Sequence, residues 1–235
     1  MNSIAGGPEP GQILIEEIPM FIGHYGVALA LKRAAPRTSL GTLFAASAAI
    51  DLALGVTILL GIEHIGIAPG ITVVNPLNLY DYPYTHSLFT VVLWGIAAAA
   101  LYFGIRKYRA GAVAVFAAVT SHWVLDLLTH IPDLPLYPGS DLLLGLGLWN
   151  SRPGTLVVET GIFIAGVILY LRSTRAAGKI GRYGIVMLLG LLLAVHIGNM
   201  IGTPPPNVET LALSLELQWL FVVLAAFVDR GRSTE

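Results

Sequence analysis

The chain has 235 residues, of which 55% are hydrophobic and 11% charged, with a mean hydropathy of +0.76 and a net charge of −1. Soluble domains carry roughly a quarter charged residues, so water is not the only solvent this chain faces, and its near-neutral charge argues against a nucleic-acid partner. Cysteine is absent, which removes disulfides and thiolate metal ligands and leaves His, Asp, Glu and Asn to hold any metal.

In chain order, residues 1–12 lack the basic and apolar regions of a signal peptide and read as a flexible N-terminal segment. A membrane-crossing helix needs about 20 mostly apolar residues. The first candidate, 13–31, is interrupted by Glu16, Glu17 and Pro19 and contains His24; it reads as a tilted span or a helix that only partly enters the bilayer. The second, 41–62, carries Asp51 in mid-span, and Glu63 and His64 at its end read as solvated. A loop rich in Pro, Asn and Tyr then leads to the third, 85–105, which opens on Thr85-His86-Ser87. The fourth, 110–130, holds His122 and Asp126 and ends at His130, and a second long loop, 131–153, follows it. Glu159 and Thr160 lie in the fifth (154–172), His196 and Asn199 in the sixth (183–202), and Glu216 in the seventh (208–228). The expected fold is therefore all-α: one polytopic membrane domain over 1–235 with about seven transmembrane helices, a metal-site region over 21–160 and C-terminal helices over 183–229.

Lys and Arg set the orientation. Twelve of the 13 basic residues fall in alternate connections: Lys32, Arg33 and Arg37; Arg106, Lys107 and Arg109; Arg172, Arg175, Lys179 and Arg182; Arg230 and Arg232. Only Arg152 lies on the other face. The N-terminus is expected outside and the C-terminus inside, in the cytoplasmic (inner) membrane of a prokaryote. The two long loops, poor in basic residues, then face outward, and loops of that length are usually functional.

An ionisable side chain inside a span costs roughly 2.5–3.5 kcal/mol on insertion scales and marks a functional site by default. Any one of these groups alone can be explained by a hydrogen bond to a neighbouring helix. Together they sort into the middle and outer half of their helices, as residues lining an outward cavity would. His122, Asp126 and His130 share one helical stripe, with the first and last about 12 Å apart along the axis. That is far for one ion, so either two metals are present or His130 binds substrate.

The set His24, Asp51, Thr85-His86-Ser87 and His122-x3-Asp126 resembles the YdjM-like family of LexA-binding, inner-membrane-associated metal-dependent hydrolases. The resemblance runs over about three-fifths of the chain, and that family is similar in turn to zinc-dependent phospholipase C. It implies His24, Asp51, His86, His122 and Asp126 as metal ligands, with Glu159 a later carboxylate ligand. His130, His196 and Asn199 would be substrate or supporting contacts. The family often places a His-Arg pair shortly before Thr-His-Ser; Tyr82-Pro83-Tyr84 stands there in this chain. His130 also follows Asp126 by four residues, closer than in the soluble relative.

The expected activity is hydrolysis of a lipid-linked phosphoester or ester near the outer leaflet. One or two divalent ions would assist it, with Zn the default and Mn or Fe the other candidates. Asp51, Asp126 and Glu159 are the carboxylates to bridge metals or act as general base. A metal-ion or small-solute permease, or a non-catalytic membrane assembly protein, are the readings from other classes.

Overall fold

The computed structural model describes residues 21–203 and 205–234. Nine α-helices and six short strands are assigned among them. They are α1 (Ile22–Ala34), α2 (Leu40–Leu59), β1 (His64–Ile67), β2 (Leu77–Asp81), α3 (Pro83–His86), α4 (Leu88–Arg106), α5 (Arg109–Thr129), β3 (Leu134–Pro135) and β4 (Leu143–Leu144). After them come α6 (Arg152–Ser173), β5 (Thr174–Ala176), α7 (Ile185–Ile201), α8 (Val208–Glu216), α9 (Gln218–Asp229) and β6 (Arg232–Thr234).

Among the described residues, six helical stretches are long and apolar enough to cross a bilayer: Leu40–Leu59, Leu88–Arg106, Arg109–Thr129, Arg152–Ser173, Ile180–Met200 and Val208–Asp229. They match the second to seventh expected spans to within a few residues. Their outward faces are apolar, as a lipid-facing surface is. On α4, Leu93, Ile96, Leu101 and Ile105 are exposed, a continuous apolar surface with no protein partner among the described residues. The expected first span lies partly outside the described residues, as do residues 1–12. Its described part, α1, has 13 residues, or roughly 20 Å at 1.5 Å per residue.

Helix α1 is an inner element. Ile22, Tyr25, Ala28 and Leu29 are fully or almost fully buried, an i, i+3, i+6, i+7 set on one face, and the helix packs on α6, α2 and α5. Close approach to α6 depends on two glycines: a Cβ at Gly166 would run into the backbone of Gly26, and one at Gly26 would meet the Phe163 Cα. Small residues at such a crossing let two backbones meet without a hydrophobic driving force between helices.

The two ends of the bundle differ. At one end Arg37 stacks on Tyr108, Lys32 pairs with Asp229, and β5 pairs antiparallel with β6. This end gathers the basic connections. Lys32 itself is not a loop cation as expected: it is buried, with its Nζ 2.7 Å from Asp229 and 2.8 Å from the Thr38 carbonyl. At the other end the two long loops fold into antiparallel hairpins, β1–β2 and β3–β4. Backbone bonds from Val74 to Trp149 and from Phe89 to Leu136 tie them to each other and to α4.

Two expectations change at the hairpin end. The span expected to open at Thr85 is two elements, because Ser87 takes an extended conformation and its Oγ accepts from the Thr90 N–H, starting α4 at Leu88. His86 thus ends a separate one-turn helix. Glu63, expected to be solvated, is 1% exposed; it caps that short helix from outside.

Candidate metal centre

The short helix α3 shows how the chain aims one ligand. Glu63 Oε1 accepts from the Tyr84 and Thr85 backbone N–H groups at 2.8 and 2.9 Å. Its Oε2 accepts from the Thr57 and Thr85 hydroxyls at 2.6 and 2.9 Å. Since the Thr85 proton is committed to Glu63, Thr85 Oγ1 receives the Nδ1–H of His86 at 2.8 Å. The His86 Nε2 lone pair is then left bare. Burial lowers the His86 pKa to about 3, so the imidazole is neutral, as a metal ligand must be.

The same device recurs on α5. His122 Nδ1 lies 3.0 Å from the Ser47 carbonyl, which can only accept, so this nitrogen carries a proton and Nε2 is the atom turned toward the carboxylates. His130 Nδ1 lies 2.9 Å from Asp133 Oδ1, which also accepts from Tyr82 Oη at 2.9 Å. Metal-bound histidines almost always fix the outer nitrogen in this way.

All these Nε2 atoms converge on two carboxylates. His122 Nε2 lies 3.4 Å from Asp51 Oδ1 and 3.2 Å from Asp126 Oδ2. His86 Nε2 is 3.8 Å from each of the same two oxygens. His24 Nε2 and His130 Nε2 face Asp126 Oδ1 at 3.4 and 3.8 Å. The His24 and His122 rings stack with centroids 4.0 Å apart. Two overlapping triads have their ligand atoms within 4.8 Å of one another: His24, His122 and Asp126, and Asp51, His86 and His122. His130 closes α5: its N–H still bonds the Asp126 carbonyl at 2.8 Å, which keeps its side chain on the stripe of Asp126, and its extended ψ turns the following chain away.

This is a surplus of acceptors. Asp126 is 3% exposed and its Oδ2 has no hydrogen-bond donor among the described residues, and neither has His24 Nδ1. A single proton on His122 Nε2 would bridge Asp51 and Asp126 but would leave His86 Nε2 facing the same oxygens. A divalent cation satisfies the set together, and imidazole with carboxylate is a donor set that suits zinc and its first-row neighbours. The residues present therefore fit a metal.

Asp51 is set apart by access. Its side chain is 21% exposed, and its Oδ2 accepts from Gln218 Nε2 at 3.3 Å, while Gln218 Oε1 accepts from Tyr25 Oη at 2.9 Å. Gln218 arrives there because the last span is interrupted at Leu217, between α8 and α9. Asp51, His86, Asp126 and His130 line a cavity of about 30 Å³, room for about one water. Its other walls are apolar, among them Leu54, Ile65, Leu79, Leu211 and Leu215.

Glu159 and His196 are placed elsewhere. Glu159 Oε2 accepts from the Phe21 N–H at 3.1 Å at the start of α1, and His196 Nδ1 lies 3.8 Å from that same oxygen. The pair lies about one turn of α1 before His24, outside both triads. Asn199, half-buried, follows His196 by three residues along α7. Sequence reasoning missed Glu63, Asp133, Tyr82 and Gln218. Tyr82 had a signal, since it stands where the family pattern departs; the others lie in loops or at a helix break whose course the sequence does not give.

The family model described as YdjM inner membrane protein matches residues 20–203. No curated protein and no solved structure shows significant similarity to the chain.

Proposed function

Taking as premise that the chain belongs to the YdjM inner membrane protein family, we propose that it is a membrane-embedded metal-dependent hydrolase. The observation that carries this reading is the convergence of four imidazole Nε2 atoms on Asp51 and Asp126, with Asp126 Oδ2 buried and without a hydrogen-bond donor among the described residues. His24, His86, His122, Asp51 and Asp126 would hold the metal, zinc by preference, with His130 completing the set if two ions bind. A divalent ion in such a site polarises a phosphoryl or acyl oxygen and lowers the pKa of a bound water.

The chain's own residues supply the rest. Asp51, the accessible carboxylate, faces the water-sized cavity and would accept the proton of the attacking water. Gln218 holds its Oδ2, which presents Oδ1 to His86 and His122. Asp133 and Tyr82 orient His130. The leucine-lined wall across from the carboxylates suits a substrate with a polar scissile group on an apolar body, namely a lipid-linked phosphoester or ester.

The basic end would face the cytoplasm and the hairpin end the outside, with the N-terminus outward and the C-terminus inward. The host would be a prokaryotic inner membrane. The kinship with zinc-dependent phospholipase C belongs to this proposal too. The test is hydrolysis of headgroup-labelled glycerophospholipids by purified protein. Turnover should vanish on chelation, return with Zn²⁺, and be absent in Asp126→Ala. Turnover that survives complete demetallation, or persists in Asp126→Ala, would refute the proposal.

A further inference from the structure

At the opposite end of the bundle, far from the hairpins, a cavity of about 420 Å³ opens between the start of α2 and the end of α4. Arg37, Ser39, Thr42, Tyr102, Ile105 and Arg106 line it above the Lys32–Asp229 pair. A second hollow of about 180 Å³ shares Arg37, Tyr102, Ile105 and Arg106 and extends the first toward Tyr108. The two form one cleft.

Its charge is unbalanced. Asp229, the only carboxylate among the described residues that line it, is already held by Lys32 Nζ at 2.7 Å and by the Leu40 N–H at 3.0 Å, both on Oδ2. Lys32 and Asp229 cancel, which leaves Arg37 and Arg106 facing one hollow with no carboxylate partner among the described residues. Arg37 is held in place, its guanidinium lying 4.6 Å above the Tyr108 ring. The Tyr102 and Thr38 hydroxyls bond at 2.9 Å and fix the wall between them. Two guanidinium groups beside the Ser39 and Thr42 hydroxyls are donors matched to the oxygens of a phosphate.

The surroundings identify its source. Ile105, a cleft residue, is 70% exposed, and Leu101 one turn back is 66% exposed. Both belong to the outward apolar surface of α4. A ligand seated on the arginines therefore meets a lipid-facing wall along its other side. We propose that this cleft is a phosphate-binding site filled by the headgroup of an anionic phospholipid, whose acyl chains lie along α4. Basic pockets between membrane helices on the side of the basic loops are suited to such headgroups.

The experiment is thermal unfolding of the purified full chain in neutral detergent, followed by tryptophan fluorescence during titration with phosphatidylglycerol, phosphatidylcholine or inorganic phosphate. Phosphatidylglycerol should stabilise the protein saturably, and phosphatidylcholine should not. Arg37→Gln combined with Arg106→Gln should weaken that effect about ten-fold or more. Lys179→Gln, at an exposed cation of another basic loop, should leave it unchanged. Both arginines are exposed, so the double variant should fold with an unaltered melting temperature when no lipid is added. An arginine-dependent shift from inorganic phosphate alone would keep the phosphate site and assign it to a free anion. An equal loss in Lys179→Gln, or no preference for the anionic lipid, would overturn the proposal.

Discussion

Glu63→Gln isolates the orientation of one ligand from the ligand itself. The amide keeps the shape of the carboxylate, and its oxygen can still accept from the Tyr84 and Thr85 N–H groups. Its NH₂ then faces the Thr57 and Thr85 hydroxyls, which now donate to Glu63 at 2.6 and 2.9 Å. Both hydroxyls must turn. Exchanging two hydrogen bonds to a charged acceptor for two neutral ones costs about 2 kcal/mol in total. The more telling effect is on His86. Once Thr85 aims its proton toward His86 Nδ1, the imidazole proton is pushed to Nε2, the nitrogen that faces Asp51 and Asp126. Loss of such a supporting contact lowers metal affinity by about 10–100-fold. Competition against a chromogenic chelator measures this, with melting temperature recorded beside it. A variant that is less stable yet binds metal within about two-fold of the parent would refute the reasoning and reduce Glu63 to a helix cap. His64→Ala is the matched control, since that exposed side chain meets only Asp81 among the described residues, at 2.9 Å, and should leave affinity untouched.

Lys32→Met removes the cation from a buried pair and leaves Asp229 with the Leu40 N–H and the distant Tyr170 hydroxyl; a loss of roughly 3–5 kcal/mol is expected, read as a lowered melting temperature. Gly166→Val should push α1 away from α6, because its Cβ has no space beside the Gly26 backbone; since α1 carries His24, weaker metal binding should accompany reduced stability, and unchanged values of both would contradict the packing. In this cysteine-free chain, Ser140→Cys should react with an impermeant thiol reagent in intact cells and Lys179→Cys should not; labelling at 179 would reverse the orientation.

Much of this could be read from the chain. Spans 41–62 and 208–228 were legible because 20-odd apolar residues in a row have few other uses. The family was legible from Thr85-His86-Ser87 and His122-x3-Asp126, a spacing that puts two donors on one helical face. The structure brings His24, Asp51, His86, His122 and Asp126 together, five residues that hydropathy alone marked as out of place. Glu159 stood out for the same reason, yet it caps the start of α1 with His196 beside it. Intramembrane polarity flags a cost without saying what offsets it. Glu63 was misread because a carboxylate at a helix end is usually solvated; only the return of the chain through β1 and β2 buries it under α3. His130, about 12 Å from His122 along the axis, lies outside both triads but meets the cluster through Asp126, whose Oδ1 is 3.8 Å from its Nε2.

The central claim is that the imidazole and carboxylate cluster holds a divalent metal. Elemental analysis of protein purified without chelator and reconstituted with Zn²⁺ tests it most directly, with Asp126→Asn as the paired variant, which keeps the side chain's size but weakens the ligand. About one to two ions per chain are expected in the parent and a clear loss in the variant. Metal-free parent protein after reconstitution, or equal metal content in Asp126→Asn, would contradict it.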